Sequence, residues 1–176
     1  MVTSFIHIIK ATSADAELIA DLSTVTFIQT YRGTCPDEDL LEFLEECFTA
    51  NGILNELQDP TDHYFIAYLK DSPVGYMRLK ENYFNNKTME KQRGLELKRI
   101  YVLKENHSQK MGSKLMMHAI MFASEKGFEA LWLGVWEENT QAIEFYKRFG
   151  FEDTRQNQTF YIGKTAQTDR RMVKKL

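Results

Sequence analysis

Hydrophobic positions follow two different periods along the chain, and together these predict a mixed α/β or α+β fold. Short apolar or β-branched runs typical of strands cover 5–9, 64–69, 74–79, 95–103, 130–135, 151–163 and 169–176. Apolar residues at helical spacing cover 12–31, 36–48, 113–126 and 139–149. The predicted order of elements is β-α-α-β-β-β-α-β-α-β-β.

Local signals place several boundaries of these elements. Pro36 suits the start of a helix, and Gly127 suits a helix end. A turn is predicted at 71–73, and the polar segment 82–94 is predicted to be a loop. The helix over 113–126 is apolar on most of its sides, which predicts that it is largely buried.

Composition narrows the class of protein. The chain has 176 residues, of which 43% are hydrophobic, and this predicts one domain over 1–176. A net charge of -3 argues against nucleic acid as the main partner and leaves room for a cationic substrate. The two cysteines indicate free thiols, and scattered histidines predict no metal site. Since we find no signal peptide or membrane span, we expect a cytoplasmic protein.

The stretch KENHSQKMGSKLMMHA, residues 104–119, joins a predicted strand to a predicted helix. The N–H groups at a helix N-terminus form an anion site, so the N–H groups of 109–114 are candidates to bind phosphates. Gly112 would let the backbone approach a ligand closely, and Lys110 and Lys114 add positive charge. From this stretch alone, the alternative of a solvated connection is favoured, because a basic turn before a helix is more often only a solvated turn.

The motif N-x-x-A-I-x-F-Y-x-x-x-G-F, residues 139–151, supports the phosphate interpretation. With the turn before it, the chain resembles the GNAT superfamily of N-acetyltransferases, and within it the bacterial polyamine acetyltransferases of the PaiA type. The resemblance implies a mixed, mostly antiparallel sheet of about seven strands, splayed in the middle and flanked by about four helices. It also implies acetyl-CoA as cosubstrate, and it leaves a homodimer open because dimers are common in the family.

The phosphate loop departs from the pattern of that family, Gln/Arg-x-x-Gly-x-Gly/Ala. His107 stands at the Gln/Arg position and Lys110 at the first glycine, whereas Gly112 matches the end of the pattern. We expect a lysine at position 110 to require a negative or otherwise tolerable φ. Its ammonium would add an electrostatic contact to a phosphate.

The resemblance implies three groups of cofactor-binding residues. The backbone of Ile100, Tyr101 and Val102 would pair with the pantetheine arm, next to a bulge suggested by the imperfect alternation of 95–100. Asn139 would contact the cofactor and can also cap its helix. The remaining residues implied are His107, Gln109, Lys110, Met111, Gly112, Ser113, Lys114, Ala142 and Tyr146.

Acetyl transfer from a thioester to an amine needs a neutral amine and a proton for the leaving thiolate. By resemblance Tyr146 is the candidate acid, and a core tyrosine is its alternative. Glu96 is the candidate base because its offset before His107 equals that of the base glutamate in related histone acetyltransferases. An exposed strand residue, with water chains carrying the proton, is the alternative.

The sequence gives the least information about the acceptor amine and the residues that bind it. Candidate substrate-binding residues are Phe27, Tyr31, Glu96, Trp136 and Glu137, since aromatic rings and carboxylates suit a cation. In the alternative interpretation the aromatic residues belong to the core, and the nearby acidic residues Asp37 and Glu38 cap a helix. Three hypotheses follow: a polyamine acetyltransferase, an acetyltransferase for a protein N-terminus, a lysine or an amino sugar, and a CoA-binding regulator with poor turnover.

Overall fold

The computed structural model describes residues 5–83 and 93–176. Of the loop predicted over 82–94, residues 84–92 lie outside the described residues. The elements are β1 (Ile6–Lys10), α1 (Ala16–Tyr31), α2 (Asp37–Cys47), α3 (Ala50–Gln58), β2 (Asp62–Leu69), β3 (Ser72–Glu81), β4 (Gly94–Val102), α4 (Met111–Glu125), β5 (Ala130–Trp136), α5 (Thr140–Arg148), β6 (Glu152–Ile162) and β7 (Thr165–Lys175).

The seven strands form a sheet in the order β1-β2-β3-β4-β5-β7-β6. Within the described residues β4 and β5 are parallel, and the other neighbouring strands are antiparallel. Helices α4 and α5 pack on one face, and α1, α2 and α3 pack on the other. The predicted fold class, a mixed and mostly antiparallel sheet with helices on both faces, is confirmed.

The sheet separates at its centre. The parallel pairing of β4 and β5 covers only Gly94 to Glu96 against Ala130 to Trp132, so the later parts of the two strands diverge. On the β3 side, Leu79 pairs with Leu97 and Arg78 with Arg99, which leaves Lys98 as an extra residue. This is the bulge predicted in β4, and it turns two successive side chains toward the face covered by α1 to α3.

Four details differ from the sequence predictions. The prediction of about four helices missed α3, whose N-cap Thr49 accepts a hydrogen bond from the N–H of Gly52 at 3.0 Å. The β2–β3 turn is at Lys70 and Asp71, so Ser72 and Pro73 already belong to β3. Helix α4 begins at Met111 rather than at 113. It is also less buried than predicted, because Met117 and Met121 are about half exposed.

Ion pairs attach α3 to the sheet. Glu56 of α3 accepts hydrogen bonds from Arg78 of β3 at 2.5 Å and from Arg99 of β4 at 2.8 Å. Arg78 also binds both oxygens of Asp62, whose side chain is 1% exposed, at 2.7 and 3.0 Å. Because these charges are buried, each depends on its partners for stability.

In the part of the chain that the structure describes, no helix combines the length and apolar composition needed to cross a membrane. Likewise, within 5–83 and 93–176, no three His, Cys, Asp or Glu side chains are grouped as ligands for a metal ion.

We predict that Asp62→Ala lowers the free energy of unfolding by about 3 kcal/mol, because Arg78 and Lys80 would lose a buried counter-charge. Denaturant titration measures the change. The matched control is Glu144→Ala, which breaks an exposed pair with Lys147 and should change stability by about 0.5 kcal/mol or less. Equal losses in the two variants would contradict the prediction.

Candidate active site

Two adjoining cavities lie where β4 and β5 diverge. The larger has a volume of about 700 Å³, within the usual range for a ligand pocket, and the smaller about 170 Å³. They share part of their lining, namely Thr30, Ile100, Val102, His107, Trp136, Asn139, Ala142 and Tyr146. The two cavities are therefore parts of one cleft with a wide and a narrow end.

The loop before α4 forms one wall of the wide end. A short 3₁₀ helix, Lys104–Gln109, leads to Lys110, which has φ 58° and ψ 23° and is therefore left-handed. Lys110 thus has a positive φ, not the negative φ that suits a lysine, and this conformation is one that glycine adopts more easily. The N–H of Lys114 donates a helical hydrogen bond to the carbonyl oxygen of Lys110 at 3.1 Å. The N–H groups before it in the first turn are those that a helix leaves without a partner of its own.

Basic side chains surround this helix N-terminus. Lys104, His107, Lys110 and Arg148 line the wide end, together with Gly112 and Ser113. The imidazole Nε2 of His107 lies 2.9 Å from the carbonyl oxygen of Val102, which ties the loop to the end of β4. The wide end therefore combines backbone donors with positive charge, which suits an anionic ligand.

Three residues predicted to bind the cofactor are not among the lining residues of the two cavities, and their role stays a prediction. Met111 is fully buried in the core between α4 and the sheet, and Gln109 is not among the lining residues of either cavity. Lys114 is exposed, and its N–H is already bonded within α4.

The narrow end lies between the diverging strands. Ile100, Tyr101 and Val102 line it from β4, along the edge that no longer pairs with β5. Across the cleft, Asn139 caps α5, and its Oδ1 accepts a hydrogen bond from the N–H of Ala142 at 3.1 Å. The capping role predicted for Asn139 is thus observed.

Tyr146 stands at the junction of the two ends. It lines both cavities and is 9% exposed, with its ring packed against Phe145 and Phe151. Burial raises the pKa of its hydroxyl well above the usual range, and the nearby Tyr31 and Asp169 raise it further. The hydroxyl therefore holds its proton at neutral pH, and Tyr146 is one of the residues shared by the two cavities.

Glu96 lies in the paired part of β4, opposite Trp132, and is 6% exposed. Its carboxylate oxygens accept hydrogen bonds from Lys98 at 3.1 Å and from Asn82 at 3.2 Å. It lines neither cavity, whereas Lys98 lines the narrow end. The role of Glu96 as a base stays a prediction.

The predicted acceptor residues are only partly brought together. Tyr31 and Trp136 line the narrow end with their rings 6.0 Å apart, whereas Phe27 is 2% exposed inside an aromatic cluster. Glu137 is outside the lining, and its exposed neighbour Glu138 lines the wide end instead. Burial and then Asp169 raise the pKa of Tyr31 to about 12.

Asp169 of β7 is the polar group that sequence reasoning missed. A Cβ placed on Gly134, which lines the narrow end, would lie 3.1 Å from the carboxylate Oδ2 of Asp169 and 2.8 Å from the Nε2 of Gln158. Glycine inside a central strand is a signal for such a close approach, and it could have directed attention here.

The sequence of the chain is similar to those of known acetyltransferases. The family model described as "Acetyltransferase (GNAT) family" matches residues 24–151. An uncharacterized N-acetyltransferase in the pepI 3' region of Lactobacillus delbrueckii subsp. lactis is 29% identical over 168 residues, covering 93% of this chain and 94% of the relative. A spermidine N(1)-acetyltransferase from Thermoplasma acidophilum is 28% identical over 155 residues, covering 85% and 91%.

Among solved structures, the PaiA N-acetyltransferase from Thermoplasma acidophilum in complex with coenzyme A matches with a TM-score of 0.79. Its sequence identity is 22%, and the match covers 98% of this chain and 99% of that chain. At this identity the match shows a shared fold.

The left-handed backbone at Lys110 leads to a prediction about stability. Lys110→Gly should be more stable than Lys110→Ala by about 1 kcal/mol, because only glycine adopts a positive φ without a steric penalty. Denaturant titration of both variants measures the difference. At Glu105, which has an ordinary φ, alanine should be the more stable replacement. The same order at both positions would contradict the prediction.

Proposed function

The chain belongs to the acetyltransferase (GNAT) family, and from this premise we propose that it transfers the acetyl group of acetyl-CoA to a primary amine of a polyamine such as spermidine or spermine. One observation carries the proposal: Tyr146 stands where a wide basic cavity meets a narrow aromatic one. Direct attack in a ternary complex requires such a junction, because both substrates must be held at one point.

The wide end fits the phosphates of acetyl-CoA. Gly112, Ser113 and the first turn of α4 would supply backbone donors, and the basic side chains around them would supply charge. The unpaired edge of β4 at Ile100 to Val102 would pair with the amide groups of the pantetheine arm. Asn139 and Ala142 line the opposite wall.

The narrow end fits an amine. Tyr31 and Trp136 offer aromatic faces to a cation, and the carboxylate of Asp169 lies beside Gly134. The relative named spermidine N(1)-acetyltransferase supports a polyamine as the acceptor. The net charge of -3 is compatible with a polycationic substrate.

Tyr146 is the proposed general acid. Its raised pKa keeps the hydroxyl protonated until the thiolate leaves, and the phenol can then donate to the sulfur. Glu96 remains one candidate for the base because of its position in β4, although Lys98, which lines the narrow end, is bonded to its carboxylate.

The acceptor is tested by thiol release from acetyl-CoA with spermidine, spermine, putrescine, a lysine peptide, an N-terminal peptide and glucosamine. We expect kcat/KM to be highest for spermidine or spermine, by about tenfold or more, since these present more ammonium groups to the aromatic wall and to Asp169 than the other amines of the panel do. A peptide or sugar as the best substrate would overturn the polyamine assignment. Binding of acetyl-CoA without turnover on any amine would overturn the enzymatic proposal.

We predict that Tyr146→Phe lowers kcat by about 100-fold while acetyl-CoA affinity changes less than about threefold, because only the hydroxyl is lost. Steady-state kinetics and calorimetric titration measure the two quantities. The matched control is Tyr161→Phe, which removes a hydroxyl from an exposed ring on β6 and should leave both quantities unchanged. Unchanged kcat in Tyr146→Phe would reject it as the acid.

A further inference from the structure

Asp169 is placed by three neighbouring strands beside the narrow end of the cleft. It pairs across the sheet with Trp136 of β5 and with Gln158 of β6. Its carboxylate leans over Gly134, where a methyl group would lie 3.1 Å from Oδ2. The missing side chain at position 134 therefore makes the room that this carboxylate occupies.

The groups that face Asp169 come from every surrounding element. Tyr31 of α1 and Tyr146 of α5 are close enough for the Asp169 charge to raise their pKa values. Lys98 of β4 and the amide of Gln158 both favour the ionised carboxylate. On β7 itself, Arg171 stacks over the ring of Trp132 at 4.7 Å.

Burial is the main influence on Asp169. It raises the pKa of the carboxyl to about 6, against the opposing effects of Gln158 and Lys98. At pH 7 about 90% of such a group is ionised and can accept a proton, and its conjugate acid gives that proton back to water readily.

The two candidate bases differ in their surroundings. Both oxygens of Glu96 are bonded, to Lys98 and Asn82, and the residue lies at the closed end of the divergence. Neither carboxylate is among the lining residues of the two cavities, but Asp169 lies beside Gly134, which lines the narrow end, and it pairs across the sheet with Trp136. The geometry of the acceptor end therefore favours Asp169.

We propose that Asp169 is the catalytic base, accepting a proton from the acceptor ammonium before the amine attacks the thioester. This proposal rests on the amine acetyltransferase function proposed above. One N–H bond of the ammonium breaks and an O–H bond forms on Asp169. The neutral amine then forms the C–N bond as the C–S bond breaks, and the sulfur leaves with a proton from Tyr146. The second proton of the amine restores the tyrosine hydroxyl, and Asp169 releases its proton to solvent.

The test is the pH dependence of kcat/KM for Asp169→Asn, measured with acetyl-CoA and spermidine, or with the best amine of the panel, between about pH 5 and about pH 9. In the wild type kcat/KM should rise through a pKa of about 6 and then level off. In Asp169→Asn it should be about 100-fold lower at pH 7, and the deficit should shrink about tenfold per pH unit as the free amine itself becomes more abundant.

Two further variants separate catalysis from structure. Gln158→Met removes a hydrogen bond that lowers the pKa of Asp169, so the acidic limb should move to higher pH. Asp153→Asn removes an exposed carboxylate from the same hairpin and should leave the profile unchanged. Acetyl-CoA affinity and the unfolding midpoint verify that each variant is folded.

Different outcomes would contradict the assignment of Asp169 as the base and the proposed acetyltransferase function. A deficit in Asp169→Asn that is the same at every pH would overturn the role as base. So would the loss of the acidic limb in Glu96→Gln with its retention in Asp169→Asn. If the wild type turns over no amine, the proposed function itself fails and the base assignment falls with it.

Discussion

The separation of β4 from β5 after three paired residues is the constraint on which the rest of the structure depends. Backbone N–H and C=O groups need partners, and a central strand normally finds them on both sides. Beyond Glu96, β4 keeps its bonds to β3 but leaves its other edge facing a cleft. The cleft lies along this edge of β4, where the backbone groups do not pair with β5. Tyr146 lines both the wide and the narrow end of the cleft.

The bulge at Lys98 is held in place by ion pairs and not by the sheet alone. Arg99 follows the bulge, bonds Glu56 at 2.8 Å and lies 4.9 Å above the ring of Phe48. Burying a guanidinium is costly unless it is paired, so the carboxylate of Glu56 stabilises Arg99 and, with it, the bulge in β4. The helix that carries Glu56 thus contributes to the shape of the cleft although it does not line it.

The fold was predictable from the sequence where hydrophobic periods were strong, whereas two features of the site depended on tertiary contacts. Helix α3 was missed because it is only nine residues long and has Gly52 in its first turn, so its helical pattern is short, although Thr49 is a residue type that favours an N-cap. The left-handed Lys110 contradicts local preference, so the surrounding loop and helix must favour it. Asp169 had no motif to mark it, since its environment is created by Gly134 and Gln158 from other strands.

The same burial has opposite consequences for the two groups that flank the cleft. Removing a phenol or a carboxyl from water disfavours its charged form, so the pKa of both Tyr146 and Asp169 is raised. For the tyrosine this means that the hydroxyl stays protonated and can donate a hydrogen bond to the sulfur as the thiolate leaves. For the aspartate it yields a pKa of about 6, close enough to neutrality for the group to take up a proton and release it again. One poorly solvated cleft therefore suits one residue to donate a proton and the other to accept one, and the diverging strands are what bring both to it.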